Sequence, residues 1–372
     1  MLGVVMLLFL RLPVIVFGKL LRRDHTPGVR GDILIIKMLG GGSLVIAYPA
    51  LLAIRTRYPE RRLMLLTTTN IRPFAESLHI FDEILCISER DLPSLAFSSL
   101  AAWMHCFGRI DTVIDLEVYS KLTTVFSVFT LARNRIGFYL ESTYWRLHIH
   151  SHLLFFNRFS GSYYFYDAIA HLLEAPIPTR IECEGHFRKY MVTVTKENGK
   201  RRISIGHACS DFGTERMLTP EQWGQVLRRQ NAQTEEFIFL GGKNDHEQAE
   251  KIISFLRERF PDISYVNFCG TLTLSESLAY LDSSDEFWGI DSALIHYARL
   301  LRKKTVSFWG PTDPQTRLRN EENLLTEVHY KKVPCSPCIH VAETPPCKGR
   351  NVCIQALFDE TRSQSAFTGF MV

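Results

Sequence analysis

The sequence predicts two α/β domains in series, each a parallel sheet wound on both sides by helices. Three observations predict this. Short apolar runs such as DILIIKML from Asp32 and EEFIFLGG over Glu235–Gly242 have the character of strands buried on both faces. Helical stretches separate these runs, so a strand–helix alternation starts at Asp32 and starts again at Arg201. A chain of 372 residues is also long enough for two cores of ordinary size.

The first 30 residues stand apart as an apolar and basic segment. MLGVVMLLFLRLPVIVFGKLLRR is interrupted by Arg11 and Pro13, and the runs on either side are too short to span a bilayer. No clear secretory signal is present. Lys19, Arg22 and Arg23 form a basic flank suited to anionic lipid. The segment reads as a membrane-surface helix or shallow anchor. A helix packed on its own domain or on a dimer partner, and a true span, are the alternatives.

Residues 31–180 form the first domain. The strand from Asp32 runs into Gly40-Gly41-Gly42-Ser43 and a helix ending before Pro59. Strands follow at Arg61–Thr67, Glu83–Ile87, Asp111–Glu117 and Arg135–Phe138, with helices between them. Residues 141–178 are aromatic-rich and less regular, and 180–201 reads as the crossing into the second domain. Residues 181–331 form that domain. Its strand at Arg201–Ala208 leads to a helix whose start is marked by Thr219 as cap and Pro220 at the first position. A strand ending in Gly241-Gly242, a helix from Asp245 and further alternation complete it. Residues 332–372 form a Cys-rich loop and tail.

The formal charge of +4 is mild and lacks the concentrated basic face of a nucleic-acid protein. Of nine cysteines, five are scattered and read as free thiols, which favours a reducing compartment. The other four, Cys335, Cys338, Cys347 and Cys353, lie in a Pro/Gly-rich stretch. Four thiolates are the right number for a structural tetrahedral zinc, with free thiols or disulfides the equal alternative.

The chain is organised around GIDSALIHYARLLRKKTVSFWGPTDP, from Gly289 to Pro314. It reads as a strand end, a helix starting at Asp291-Ser292 and carrying His296, a second strand, and a tight turn through Thr312. Two strand ends and a helix N-terminus therefore meet at one sheet edge, where unpaired N–H groups favour an anion such as a diphosphate. Asp291 is expected to cap the helix.

This stretch resembles the signature of the glycosyltransferase family 9 proteins, the bacterial heptosyltransferases of lipopolysaccharide core assembly. Residues 32–59 resemble the family's first strand, loop and helix. Asp115-Leu116, Arg135–Phe138, Arg216–Trp223 and Leu240-Gly241-Gly242 follow in the same order. The resemblance implies a GT-B fold, with two Rossmann-like domains facing each other across a cleft. It also implies inverting transfer from a nucleotide-diphosphate sugar, ADP-heptose or similar, to a lipid-linked glycan, without an obligatory metal. Arg216 then contacts donor phosphate, while Asp291, Ser292 and His296 match diphosphate and sugar contacts, with Thr312 in the matching turn. Glu247 matches a ribose-binding carboxylate, and Leu272 falls near the base.

One position departs from the family. The loop aspartate that serves there as base is replaced by Ser43, whose hydroxyl is no base without activation; its plain reading is a helix N-cap. Asp115 and Glu117, at a strand end, are the candidates for the base. Lys37 stands in a buried strand pattern, where an ammonium needs a partner, and is a candidate to attract an anionic acceptor beside Gly40, Gly41 and Gly42.

The resulting expectation is a cytoplasmic glycosyltransferase, peripheral on the inner face of the bacterial inner membrane. A sugar-nucleotide epimerase of the same fold class, or a non-catalytic nucleotide- or glycan-binding member suggested by Ser43, are the alternatives. An epimerase would convert the donor without an acceptor; a binder would hold it without turnover.

Overall fold

The structure, a computed structural model, describes residues 2–20, 24–196, 200–209, 211–230, 235–319, 325–339, 341–342, 345 and 347–359. Arg22 and Arg23 of the basic flank, Asn198-Gly199 of the crossing segment and Pro346 of the Cys-rich stretch lie outside the described residues. The chain divides into two compact units, Met1–Cys183 and Glu184–Val372.

In the first unit, α1 (Leu2–Leu20) precedes β1 (Asp32–Ile36), α2 (Gly41–Arg57), β2 (Leu63–Thr68), α3 (Arg72–Ser77) and β3 (Glu83–Ile87). There follow α4 (Leu92–Cys106), β4 (Ile110–Asp115), α5 (Lys121–Phe129), β5 (Asn134–Tyr139), β6 (His152–Phe155) and α6 (Ser162–Leu172). The sheet order is β3-β2-β1-β4-β5-β6, and every pairing is parallel. Leu34, Ile36, Met64, Leu66 and Val113 form one face of its core, covered by Ala102 and Cys106 of α4 and Phe126 of α5.

α1 runs unbroken through Pro13, whereas the sequence suggested an interruption there. A proline inside a helix removes one backbone hydrogen bond, and here packing holds the helix on both sides of it. Leu7 is fully buried among Val125, Val128, Trp145 and Ile149, with Leu10 and Val14 beside it. Arg11 Nη2 donates to the Tyr144 carbonyl at 2.5 Å. Among the described residues no helix is long and apolar enough to cross a membrane. The stretch 141–178, expected to be less regular apart from a helix at Tyr163–Glu174, holds a 3-10 turn at Glu141–Arg146 and the edge strand β6, and its helix is α6, Ser162–Leu172.

α7 (Arg180–Arg188) straddles the division between the units, where only a crossing segment was expected. The second unit continues with β7 (Arg201–Gly206), α8 (Pro220–Arg229), β8 (Glu235–Phe239), α9 (His246–Arg259), β9 (Ser264–Asn267) and α10 (Leu274–Ser283). It is completed by β10 (Glu286–Ile290), α11 (Ala293–Leu300), β11 (Lys304–Trp309), β12 (Thr326–Tyr330) and α12 (Val352–Phe358). Its sheet order is β12-β11-β10-β7-β8-β9, again parallel. This repeats the topology of the first unit. The predicted start of α8 is present: Thr219 Oγ1 accepts from Gln222 N, and Gln222 Oε1 accepts from Thr219 N. Trp223, Phe237, Phe239, Trp288 and Phe308 fill the core, and α12 adds Ile354 and Phe358 to it.

Candidate functional site

In a sheet of this order the strand sequence reverses between the first and fourth strands, and the loops leaving those two carboxyl ends diverge to leave a crevice. In the second unit these are β7 and β10. β7 leads to a 3-10 turn, Asp211–Arg216, and β10 leads through Asp291-Ser292 into α11. Arg216 Nη1 donates to the Asp291 carbonyl at 3.1 Å, and its Nε lies 3.4 Å from Asp291 Oδ2. Burial alone would raise the Asp291 carboxyl; Arg216, then Arg317, outweigh it and hold the group below its ordinary value. Burial pushes the His296 imidazole down to about 3 against the pull of Asp291, so His296 is neutral at physiological pH.

Asp291 is not the helix cap that the sequence suggested. Ser292 occupies that position without a side-chain capping bond, and Asp291 turns to Arg216 instead. Thr312 is fully buried and helps hold Asp291 down. Four buried atoms here lack a well-formed hydrogen bond: Arg216 Nε, Asp291 Oδ2, Ser292 Oγ and Thr312 Oγ1. Three of the four face one another, Arg216 Nε against Asp291 Oδ2 at 3.4 Å and Thr312 beside Asp291, so the cluster is loosely satisfied, a condition in which a ligand can supply better partners. The structure thus brings together Arg216, Asp291, Ser292, His296 and Thr312, and adds Arg317.

The remaining donor-side residues lie in two other loops. Gly242 N donates to Asp245 Oδ2 at 2.7 Å, which fixes the turn after Gly241. His207, at the end of β7, directs Nε2 to the Asp245 carbonyl at 3.2 Å, and burial pushes its pKa down to about 4. His207 Nδ1 is buried and unpaired. Sequence reading passed over His207, Asp245 and Arg317; a histidine directly after a glycine-ended buried strand was the available signal. Glu247, by contrast, is exposed and pairs with Lys251 on its own helix at 2.7 Å. Leu272 is half-buried in the turn before α10.

The Cys-rich segment braces the Gly310–Pro314 turn. Ser336 Oγ donates to the Gly310 carbonyl, and Ile339 N donates to the Pro311 carbonyl. A Cβ at Gly310 would come within 2.8 Å of both Cys353 Sγ and the Ile354 side chain, so only glycine fits. Cys338 and Cys353 are buried, Cys347 is half-buried, Cys335 is exposed, and all four are free thiols. Among the described residues no group of three or more His, Cys, Asp or Glu is placed to hold a metal ion.

The corresponding crevice of the first unit lies at β1 and β4. Glu117 Oε1 accepts three bonds there, from Lys37 Nζ at 2.8 Å, Met38 N at 2.8 Å and Leu39 N at 3.0 Å. Lys37 therefore has its counter-charge and is not a free cation for an acceptor. Burial would raise the Glu117 carboxyl, but Lys37 outweighs it and holds the group low, which makes Glu117 a weak base. Gly40, at φ 81°, turns the loop into α2, whose first residues are Gly41 and Gly42. Ser43 lies inside the first turn of α2 and is not its cap, because Gly40 takes that place.

Asp115 is sealed from solvent. Its carboxylate accepts from Arg146 Nη2 at 3.0 Å, Thr123 Oγ1 at 3.0 Å and Glu117 N at 3.0 Å. Burial pushes its pKa up to about 6, although Arg146 pulls the other way. A fully enclosed, fully paired carboxylate does not reach a bound hydroxyl, so the structure corrects the reading of Asp115 as base. Arg133 and Arg135 are also structural: Arg133 ties the carbonyls of Asp24, Thr26 and Gly28 to Asp111, and Arg135 donates to the Ile149 and Ala132 carbonyls.

Comparison with known proteins accords with this geometry. Residues 165–347 match the model of glycosyltransferase family 9 (heptosyltransferase). Lipooligosaccharide heptosyltransferase 2 of Campylobacter jejuni serotype O:2 is 23% identical over 312 residues, covering 82% of this chain and 88% of that protein. Its serotype O:6 counterpart is 24% identical over 200 residues, 50% of this chain, and only 61% of that relative's length is spanned. The structure of E. coli heptosyltransferase WaaC with ADP superposes with a TM-score of 0.64 at 13% identity, covering 88% of this chain and 98% of that one. The two parallel six-stranded sheets and this likeness define the fold class, GT-B. Within that fold the chain is similar to the heptosyltransferases of glycosyltransferase family 9, whose model matches residues 165–347.

Proposed function

We propose that the chain transfers a heptose or related sugar, with inversion, from a nucleotide-diphosphate donor such as ADP-heptose to a lipopolysaccharide-core or other lipid-linked glycan. The reaction is assigned to the inner face of the bacterial inner membrane. The observation that carries this reading is the cluster of loosely satisfied buried atoms around Arg216. A diphosphate offers oxygens to Arg216 Nε–H and to the Ser292 and Thr312 hydroxyls, while a donor hydroxyl suits Asp291 Oδ2 in place of its long contact with Arg216. Neutral His296 has an N–H to give, and the N-terminus of α11 adds backbone donors. In transfer, the bond from the anomeric carbon to the diphosphate oxygen breaks, a bond from the acceptor oxygen forms, and the acceptor hydroxyl gives up its proton to water. Arg216, His296 and Arg317 then meet the charge that grows on the leaving group, an electrostatic role that needs no obligatory metal. Because Asp115 is sealed and Glu117 is held ionised, leaving-group stabilisation is the main catalytic contribution in this reading. The names of the relatives, heptosyltransferases of lipooligosaccharide, support this donor and acceptor class.

The test is a thermal-shift panel of nucleoside diphosphates, followed by transfer assays on Arg216→Ala with His296→Ala. One nucleotide should raise the melting temperature selectively, and the double variant should lose both that rise and transfer. Unchanged transfer in the variant shows the site to be wrongly assigned. A retained nucleotide shift in the wild type without transfer to any lipid-linked acceptor makes the chain a binder.

A further inference from the structure

We propose that the outward faces of α1, α4 and α5 together form one docking surface for an anionic lipid bilayer. α1 buries only one stripe, Leu7, Leu10 and Val14, against the first unit. Its other faces leave Phe9 77%, Leu12 69%, Phe17 61% and Leu20 71% exposed. α4 buries Ala102 and Cys106 and turns outward Phe97 at 76%, Leu100 and Met104, spaced three and four residues apart along one helical face. α5, which α1 covers at Val125 and Val128, leaves Leu122 and Phe129 exposed. The three helices adjoin: α4 and α5 cover the same face of the core, and Trp103 Nε1 of α4 donates to the Phe129 carbonyl at 2.9 Å.

Charge identifies the occupant. None of the three helices contains an aspartate or glutamate, and their charged side chains are exposed Lys19, half-buried Lys121 over the Trp145 ring, and Arg11, which donates to the Tyr144 carbonyl. Apolar side chains flanked by lysines, with no carboxylate among them, match acyl chains beneath anionic headgroups. A second copy of this surface would bring lysines against lysines. The inference extends the membrane location proposed above, and it rests on the lipid-linked acceptor only for its purpose.

Flotation of the whole chain with phosphatidylcholine vesicles, with and without phosphatidylglycerol, tests it without donor or acceptor. Binding should require phosphatidylglycerol and weaken with salt. Phe97→Glu with Met104→Glu, which leaves α1 intact, should weaken binding roughly tenfold or more, as should Phe9→Glu with Leu12→Glu on α1. The nucleotide thermal shift should be unchanged in both, which separates this surface from the donor site and from misfolding. Failure of the wild type to float overturns the proposal, as does an α4 variant that floats like the wild type. A wild-type dimer in light scattering that the substitutions convert to monomer assigns the surface to a second copy instead.

Discussion

The two switch-point crevices share one topology and differ in how their polar groups are satisfied. In the first unit both carboxylates are satisfied, Glu117 by Lys37, Met38 and Leu39 and Asp115 by Arg146, Thr123 and Glu117, although Arg146 Nε and both ring nitrogens of His150 beside Asp115 are buried without a hydrogen bond. In the second, Arg216 Nε, Asp291 Oδ2, Ser292 Oγ and Thr312 Oγ1 stand without well-formed partners. The two crevices therefore differ at the carboxylate: Asp115 and Glu117 have their full set of donors, whereas Asp291 Oδ2 has only a long ion pair with Arg216. Charge and burial alone do not make the distinction, because both crevices hold a buried carboxylate beside an arginine.

The contrast can be broken by mutation. Asp115→Ala leaves Arg146 as a sealed, uncompensated cation, and about 3–5 kcal/mol of stability should be lost in urea unfolding. If stability holds and only transfer is lost, Asp115 belongs to the chemistry after all. Arg216→Ala should act mainly on binding: nucleoside diphosphate affinity weakens roughly tenfold to a hundredfold, the loss of about 1.5–3 kcal/mol from charged hydrogen bonds, while the urea midpoint falls less than for Asp115→Ala because Arg317 still faces Asp291. A midpoint that falls as far as that of Asp115→Ala would make both crevices framework.

Acid sharpens the comparison. His207 and His296 are held neutral, at about 4 and about 3 against an ordinary 6.5. The unfolded chain therefore binds more protons below pH 6.5, and the second unit loses about 1.4 kcal/mol per pH unit for each of them as pH falls. In the first unit the two fully buried groups oppose each other, while the less buried His79 and His152 are pushed down by burial. His150 is also pushed down by burial, whereas raised Asp115 contributes stability that is lost as pH rises from about 4 to about 6. Hydrogen exchange at pH 7 and pH 5 should show the second unit opening more readily at pH 5, with the first changing less. Equal loosening would refute the argument. The smallest effect is expected at Ser43. Its replacement by alanine should shift stability by no more than about 0.5 kcal/mol and leave transfer within about threefold; a collapse of transfer would give that hydroxyl a chemical role.

Much of this was legible in the chain. Strands buried on both faces, such as Leu63–Thr68 and Glu286–Ile290, announce themselves by continuous apolar runs. The edge strands His152–Phe155 and Thr326–Tyr330 did not, because they are short and half-buried and carry polar residues. Arg216, Asp291 and Thr312 were found because they stand in a dense local pattern. The commitments of Asp115 to Arg146 and of Lys37 to Glu117 join residues 31 and 80 positions apart, and no spacing rule connects them. Asp291 was misread as a cap for a related reason: an aspartate before a helix has the cap's composition, and only a distant arginine turns it elsewhere.

The brace on the Gly310–Pro314 turn has a consequence for the order in which the molecule is made. Synthesis delivers β7, β10 and α11 well before Ser336, Ile339 and Ile354, so on the ribosome the turn beside Asp291 waits for the segment that holds it. The proposed donor site is therefore among the last parts of the fold to be completed. A molecule interrupted shortly after Trp309 would carry Arg216 and Asp291 in full and still lack a finished site.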